Sequence, residues 1–171
     1  MRKLVLPAIL IALALCAAPV FAADPPAKPE PMKVGSTLVE LNTMDMAGKA
    51  VTLNSLVKPN MLNVIAFTNS ACYACATEAS VLSSIKGKNP DKVNLIGVVT
   101  DISPNSYKAL PEGVKSSFSF VHDSEFQITP LFGFSSTPAT ALVKGGKIVD
   151  LKIGFDPAKS ADFVAYIEKN L

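Results

Sequence analysis

The feature that most constrains this chain is a pair of cysteines two residues apart, Cys72-Tyr73-Ala74-Cys75, set between two segments of different periodicity. Before it runs Leu62-Asn-Val-Ile-Ala-Phe-Thr68, short, mostly apolar and rich in β-formers, as a strand buried on both faces should be. After it the spacing turns helical: Ala79, Leu82 and Ile85 fall on the same stripe as Cys75, and that stripe faces inward. By itself, a Cys-x-x-Cys can hold a redox disulfide, a structural bridge or half a metal site.

The placement of the pair separates these readings. Cys72 sits at the mouth of the helix, where the first amide N–H groups lack intrahelical partners and the dipole is positive, conditions that favour a thiolate. Cys75 points toward the core, so the two sulfurs are unequal: an exposed nucleophile and a shielded thiol that resolves the mixed disulfide. A purely structural bridge closing so short a loop would remove little entropy from the unfolded chain. Zinc requires four ligands, and beyond Cys16 near the amino end the chain offers two cysteines and one histidine, His122. The reading is therefore a redox dithiol, with no metal and no cofactor beyond a redox-active Cys72–Cys75 disulfide.

Residues 1–23 read as a secretory signal peptide: Arg2 and Lys3, an uncharged apolar run, the helix breaker Pro19, then small residues for cleavage after Ala22 or Ala23. The uncharged run from Leu4 to Ala23 is also long enough to span a bilayer, so an uncleaved membrane anchor is the alternative. Export implies a periplasmic or other extracytoplasmic, oxidising location, where a dithiol reductant depends on a membrane or exported dithiol as electron donor. Residues 24–33, with four prolines between Asp24 and Pro31, read as an extended linker, and 34–171 suffice for one domain with a full core. Without Arg2 and Lys3 the chain carries 14 Lys against 14 Asp plus Glu. That balance argues against a nucleic-acid partner, and a monomer is expected.

Along the body, Leu38–Asn42 and Ala50–Leu53 read as a hairpin with Gly48 in its turn. Val93–Thr100 is a second buried strand, parallel to the first across a helical crossover. Ser103–Lys115 reads as two short helical pieces broken at Pro111. A strand over Phe118–Val121, a turn at His122-Asp123 and an irregular helix over Glu125–Phe132 follow. A strand up to Val143 is entered through Thr137-Pro138, and Lys144-Gly-Gly-Lys147 turns it into an antiparallel partner, Ile148–Ile153. The last helix has Asp156 as N-cap and Pro157 at its first position, with Phe163, Val164, Ile167 and Leu171 at helical spacing.

Strand, Cys-x-x-Cys at a helix N-terminus, parallel strand, X-Pro before an antiparallel hairpin and a final helix: this order resembles the thioredoxin superfamily. The leader, the first hairpin and the extra strand and helix between Cys75 and Pro138 resemble its ResA/TlpA-like branch of exported thiol-disulfide oxidoreductases. The resemblance implies an α/β, thioredoxin-like fold, a mixed central sheet flanked by helices with an N-terminal β-hairpin and an inserted βα unit. It makes Cys72 the attacking cysteine, Cys75 the resolving one and Pro138 a cis-proline that faces the pair and, with Thr137, receives substrate backbone. X-Pro bonds are the ones that tolerate cis. Tyr73, beside Cys72, is a candidate for docking substrate or a plain surface aromatic. Glu78 stands where ResA-like proteins carry a glutamate near the dithiol, either as a proton acceptor for Cys75 or as a rim carboxylate.

The activity implied is reduction or exchange of protein disulfides outside the cytoplasm, as in cytochrome c maturation, with protein thiols and disulfides as partners. The sequence departs from the usual pattern at Ala71, where Trp is common, at Tyr73-Ala74 between the cysteines, and at Ser80. Two other classes compete. A peroxiredoxin-like thiol peroxidase would carry Thr where Asn69 stands and an Arg near the thiolate, yet Arg2 is the sole arginine. A Sco-like copper-binding protein would use both cysteines and His122, but usually spaces its cysteines by three residues. His122 otherwise reads as a surface residue.

Overall fold

Two apolar runs without a polar face, Leu62–Thr68 and Val93–Val99, lie side by side as parallel strands at the heart of a seven-stranded sheet. In the computed structural model, which describes residues 29–171, the strands are β1 (Asn42–Asp45), β2 (Ala50–Thr52), β3 (Leu62–Thr68), β4 (Val93–Val99), β5 (Phe118–His122), β6 (Ala139–Lys144) and β7 (Lys147–Ile153). Their spatial order is β2-β1-β5-β4-β3-β6-β7. Strands β3, β4 and β5 are parallel, while β1, β2, β6 and β7 join antiparallel, which makes the sheet mixed. The helices are α1 (Cys75–Lys88), α2 (Asn105–Ala109), α3 (Glu112–Lys115) and α4 (Ser160–Glu168). The leader, its alternative as an anchor and the first part of the linker lie outside the described residues.

Alternation along β3 builds two cores. Val64 and Ala66 face Leu82 and Ile85 of α1 and Phe163 and Ile167 of α4, while Ile65 and Phe67 face Leu53, Phe132 and Phe134 on the other side. Phe67 meets the rings of Phe132 and Phe134 edge-on, each at 5.1 Å. Each such fully buried side chain stabilises the fold by about 1.5–3 kcal/mol. The α-helices thus pack on one face, and the other is covered by the amino-terminal segment and short 3₁₀ turns. Met32, inside the expected linker, is already buried there, with its N–H donating to the Leu131 carbonyl at 2.7 Å.

Two polar residues interrupt the apolar strands, and they set the register. Asn63 and Asn94 are buried opposite one another; Asn94 Nδ2 donates to Asn63 Oδ1 at 2.9 Å, and Asn63 Nδ2 donates to the carbonyls of Lys58 and Val143. A slip of one residue would leave these buried amides without partners.

Three expectations are corrected. The first hairpin strand begins at Asn42 and not at Leu38, because Leu38 and Leu41 are spent on the core and the Leu38 N–H bonds to Gly146. Gly48 does sit in the turn, at φ +83°. His122 ends β5 and does not belong to a turn, and Glu125–Phe132 is not a helix: the buried Asp123 carboxylate takes the N–H groups of Gln127, Ile128 and Thr129 and the Thr129 hydroxyl. Only a 3₁₀ turn, Thr129–Phe132, remains. The final helix is capped as expected, since Asp156 Oδ1 accepts the Ala158 N–H, but its first turn is 3₁₀ (Pro157–Lys159) and α4 follows from Ser160.

Candidate active site

β3 ends at Thr68, whose carbonyl accepts the N–H of Thr100 at 2.9 Å, so the ends of β3 and β4 are tied where the cysteine loop leaves the sheet. Asn69 turns that loop: its Oδ1 accepts the Ala71 N–H at 3.0 Å and its carbonyl accepts the Cys72 N–H at 3.2 Å. Cys72 and Cys75 are joined as a disulfide, with 5.4 Å between their Cα atoms. Cys72 is half-buried and Cys75, the first residue of α1, is 3% exposed.

The N–H groups of Tyr73, Ala74, Ala76 and Thr77 take no hydrogen bond among the described residues, and no side chain caps α1. These unpaired donors and the dipole form the positive end that favours negative charge at this mouth. Tyr73 is 94% exposed beside Cys72.

Glu78 lies one turn beyond Cys75 and is buried at 2% exposure, not on a rim. The Thr140 hydroxyl donates to its Oε1 at 2.7 Å. Burial pushes the carboxyl up from 4.5 to about 7, against the opposing pull of the Thr140 hydrogen bond and the Lys152 charge. Lys152 is the register partner of Thr140 across β6 and β7, and its ammonium stands over the Tyr166 ring at 5.5 Å from the centroid.

The Thr137–Pro138 peptide bond is cis. Pairing of Phe67 with Ala139 puts Pro138 beside the end of β3, on the sheet edge from which the cysteine loop departs. Pro138 itself is buried and its carbonyl is taken by the Gly154 N–H at 2.8 Å. Thr137 is half-exposed, and its backbone makes no hydrogen bond among the described residues.

The structure does not bring His122 together with the cysteines in a ligand set. Its Nε2 is 2.7 Å from the Asp101 carbonyl, and among the described residues no three His, Cys, Asp or Glu side chains converge as a metal-ion group. Two residues of the site escaped the sequence reading. Thr140 is a hydroxyl in an otherwise apolar strand, two residues past Pro138. Asp101 is the first carboxylate after an apolar strand, and its Oδ1 accepts the Ser70 N–H at 2.7 Å. Each has a faint sequence signal, a polar residue breaking or ending an apolar run.

Compared with protein-family models, the sequence matches none, and compared with curated proteins it also matches none. Solved structures do match. The thioredoxin domain of a thiol-disulfide oxidoreductase from Bacteroides vulgatus has a TM-score of 0.60 at 23% identity, over 78% of this chain and 99% of that one. An exposed lipoprotein thioredoxin from Streptococcus pneumoniae gives 0.61 at 19%, over 77% and 99%. A secreted disulfide oxidoreductase from Mycobacterium tuberculosis, described as homologous to E. coli DsbE, gives 0.56 at 18%, over 74% and 95%. The chain has the thioredoxin-like fold, the fold of these thiol-disulfide exchange proteins.

Proposed function

We propose that this protein is an extracytoplasmic thiol-disulfide oxidoreductase that reduces or exchanges disulfides in other proteins through Cys72 and Cys75. The observation that carries the reading is the disulfide itself: one half-exposed and one buried cysteine, bonded at the N-terminus of α1, whose first turn also holds the buried Glu78. In the reduced state the Cys72 thiolate attacks a substrate disulfide, forming a mixed disulfide and releasing one substrate thiolate. Cys75 then gives its proton to Glu78, whose carboxyl near 7 is matched to that task, and attacks the Cys72 sulfur. The second substrate thiolate leaves, the Cys72–Cys75 bond forms, and two electrons have passed to the substrate. Thr137 offers the backbone for an extended substrate segment, beside Pro138, and Tyr73 offers an exposed apolar contact.

Acting as a reductant in an oxidising compartment, such as in cytochrome c maturation, the protein draws electrons from a membrane or exported dithiol. The export reading supports this location: a signal peptide over 1–23, a linker over 24–33, and a monomeric body. Cys75→Ala tests the reading, because it stops the reaction at the mixed disulfide. Substrate proteins are expected to accumulate on Cys72 in the oxidising compartment and to be released by a dithiol reductant. A glutathione titration that places the couple near the strongly oxidising exchange proteins would reverse the proposed direction of electron flow.

A further inference from the structure

Asp101 follows β4 closely and is bound from three sides. Its Oδ1 accepts the N–H of Ser70 at 2.7 Å, in the loop that delivers Cys72, and its Oδ2 accepts the N–H of Ser106 at 3.1 Å, in the first turn of α2. The third tie is to its backbone, where His122 Nε2, at the end of β5, lies 2.7 Å from the Asp101 carbonyl oxygen. A carbonyl only accepts, so Nε2 carries the hydrogen whether the ring is neutral or charged.

Burial alone would raise the Asp101 carboxyl, but hydrogen bonds from Ser106 and Ser70 outweigh it and hold the group below its usual range. It is an anion at neutral pH. The residue type follows from the geometry: both oxygens face N–H donors, and a side-chain amide would turn its own NH2 against one of them. The other ties of the loop, from Ala71 and Cys72, run only to Asn69. The Ser70–Asp101 bond spans 31 residues and fastens the loop to the neighbouring strand end.

We propose that Asp101 is a positioning residue of the redox dithiol, holding Cys72 against Cys75 through the Ser70 N–H, with His122 as the support that fixes Asp101. The proposal rests on the dithiol reading above. Two consequences have the same sign. A loop held in place in the reduced state raises the effective concentration of one thiol at the other and favours closure of the disulfide. A fixed anion bonded to the loop before Cys72 disfavours a thiolate there, and with it the reduced form. Both make the disulfide harder to reduce, so loss of Asp101 makes it easier.

The test is exchange of the full chain with glutathione, in which oxidised protein and two glutathione thiols give the dithiol and one glutathione disulfide. Alkylation and mass measurement read the equilibrium. Asp101→Asn is expected to move it toward the dithiol by about tenfold, about 30 mV for a two-electron couple, and to lower the pH at which Cys72 alkylates. His122→Ala should move it the same way by less, and His122→Gln, which keeps an N–H donor, should stay near the parent chain. If both Asp101→Asn and His122→Ala lower thermal stability yet leave the equilibrium within about twofold of the parent, the role is structural only and the proposal is overturned. Should Asp101→Asn not fold, the two His122 variants decide alone. A parent chain that exchanges with no disulfide at all would instead overturn the dithiol reading itself.

Discussion

Glu78 is held between two opposing influences: burial raises its carboxyl to about 7, and the Thr140 hydroxyl and Lys152 pull it back. The folded-state value lies above the unfolded one, so ionised Glu78 opposes folding. Stability attached to this group is full below pH 4.5 and is lost as pH rises through about 7, by up to about 3 kcal/mol. Glu78→Gln keeps an acceptor for Thr140 without the charge. Denaturant unfolding of the oxidised protein at pH 5 and at pH 8.5 should show a loss in the parent chain and little in the variant; equal losses would assign the pH dependence to other groups. The same variant should slow release of substrate from the Cys72 mixed disulfide more than formation of it. Thr140→Val removes the donor to the carboxylate, so the Glu78 carboxyl should titrate at still higher pH, as followed by carboxyl carbon NMR.

Among the elements, β4 and β5 meet so closely that one position admits no side chain. A Cβ at Gly97 would lie 2.3 Å from the ring of Phe120, its register partner. That ring is held by Phe118 at 5.2 Å and Tyr107 at 5.1 Å and has little freedom to move aside. Gly97→Ala should destabilise by about 1–3 kcal/mol, and Gly97→Ala with Phe120→Leu should recover part of that loss in equilibrium unfolding. The segment after β5 depends instead on one carboxylate. Asp123→Ala strips partners from three backbone N–H groups and a hydroxyl, two of those residues being buried, and should cost about 3 kcal/mol or more. A loss below about 1 kcal/mol would mean that water replaces the carboxylate readily.

For the whole molecule, the segments that flank the dithiol are poor in charge, the Asp101 carboxylate bonded to the cysteine loop being the exception. Residues 62–77, 102–107 and 128–143 contain no Asp, Glu, Lys, Arg or His. Encounter with a substrate protein should therefore respond weakly to salt, with kcat/KM for disulfide reduction changing less than about twofold between low and high ionic strength. A steep decline would locate a charged docking surface elsewhere on the body. The disulfide closes a loop of sequence separation 3, so reducing it should cost the domain no more than about 2 kcal/mol while abolishing oxidant capacity. The fold is held by its two cores, and the bond is left free for chemistry.

What the sequence determined by itself was whatever depends on neighbours along the chain. The apolar runs at 62–68 and 93–99, the helical stripe through Cys75, Leu82 and Ile85, the Gly145-Gly146 turn and the Asp156 cap were all legible, because periodicity and turn chemistry are local. The unequal burial of Cys72 and Cys75 followed from the same stripe. Only the tertiary structure decided what depends on partners far away. Leu38 and Leu41 look like a strand but serve the core, Asp123 organises a segment whose composition suggests a helix, and Asn63 meets Asn94 across β3 and β4. Glu78 meets the Thr140 hydroxyl, 62 residues on, and Ser70, in the loop before Cys72, meets Asp101. Hydrogen bonds and burial across such separations leave no periodic trace, since the chain between the partners carries no record of where its ends meet.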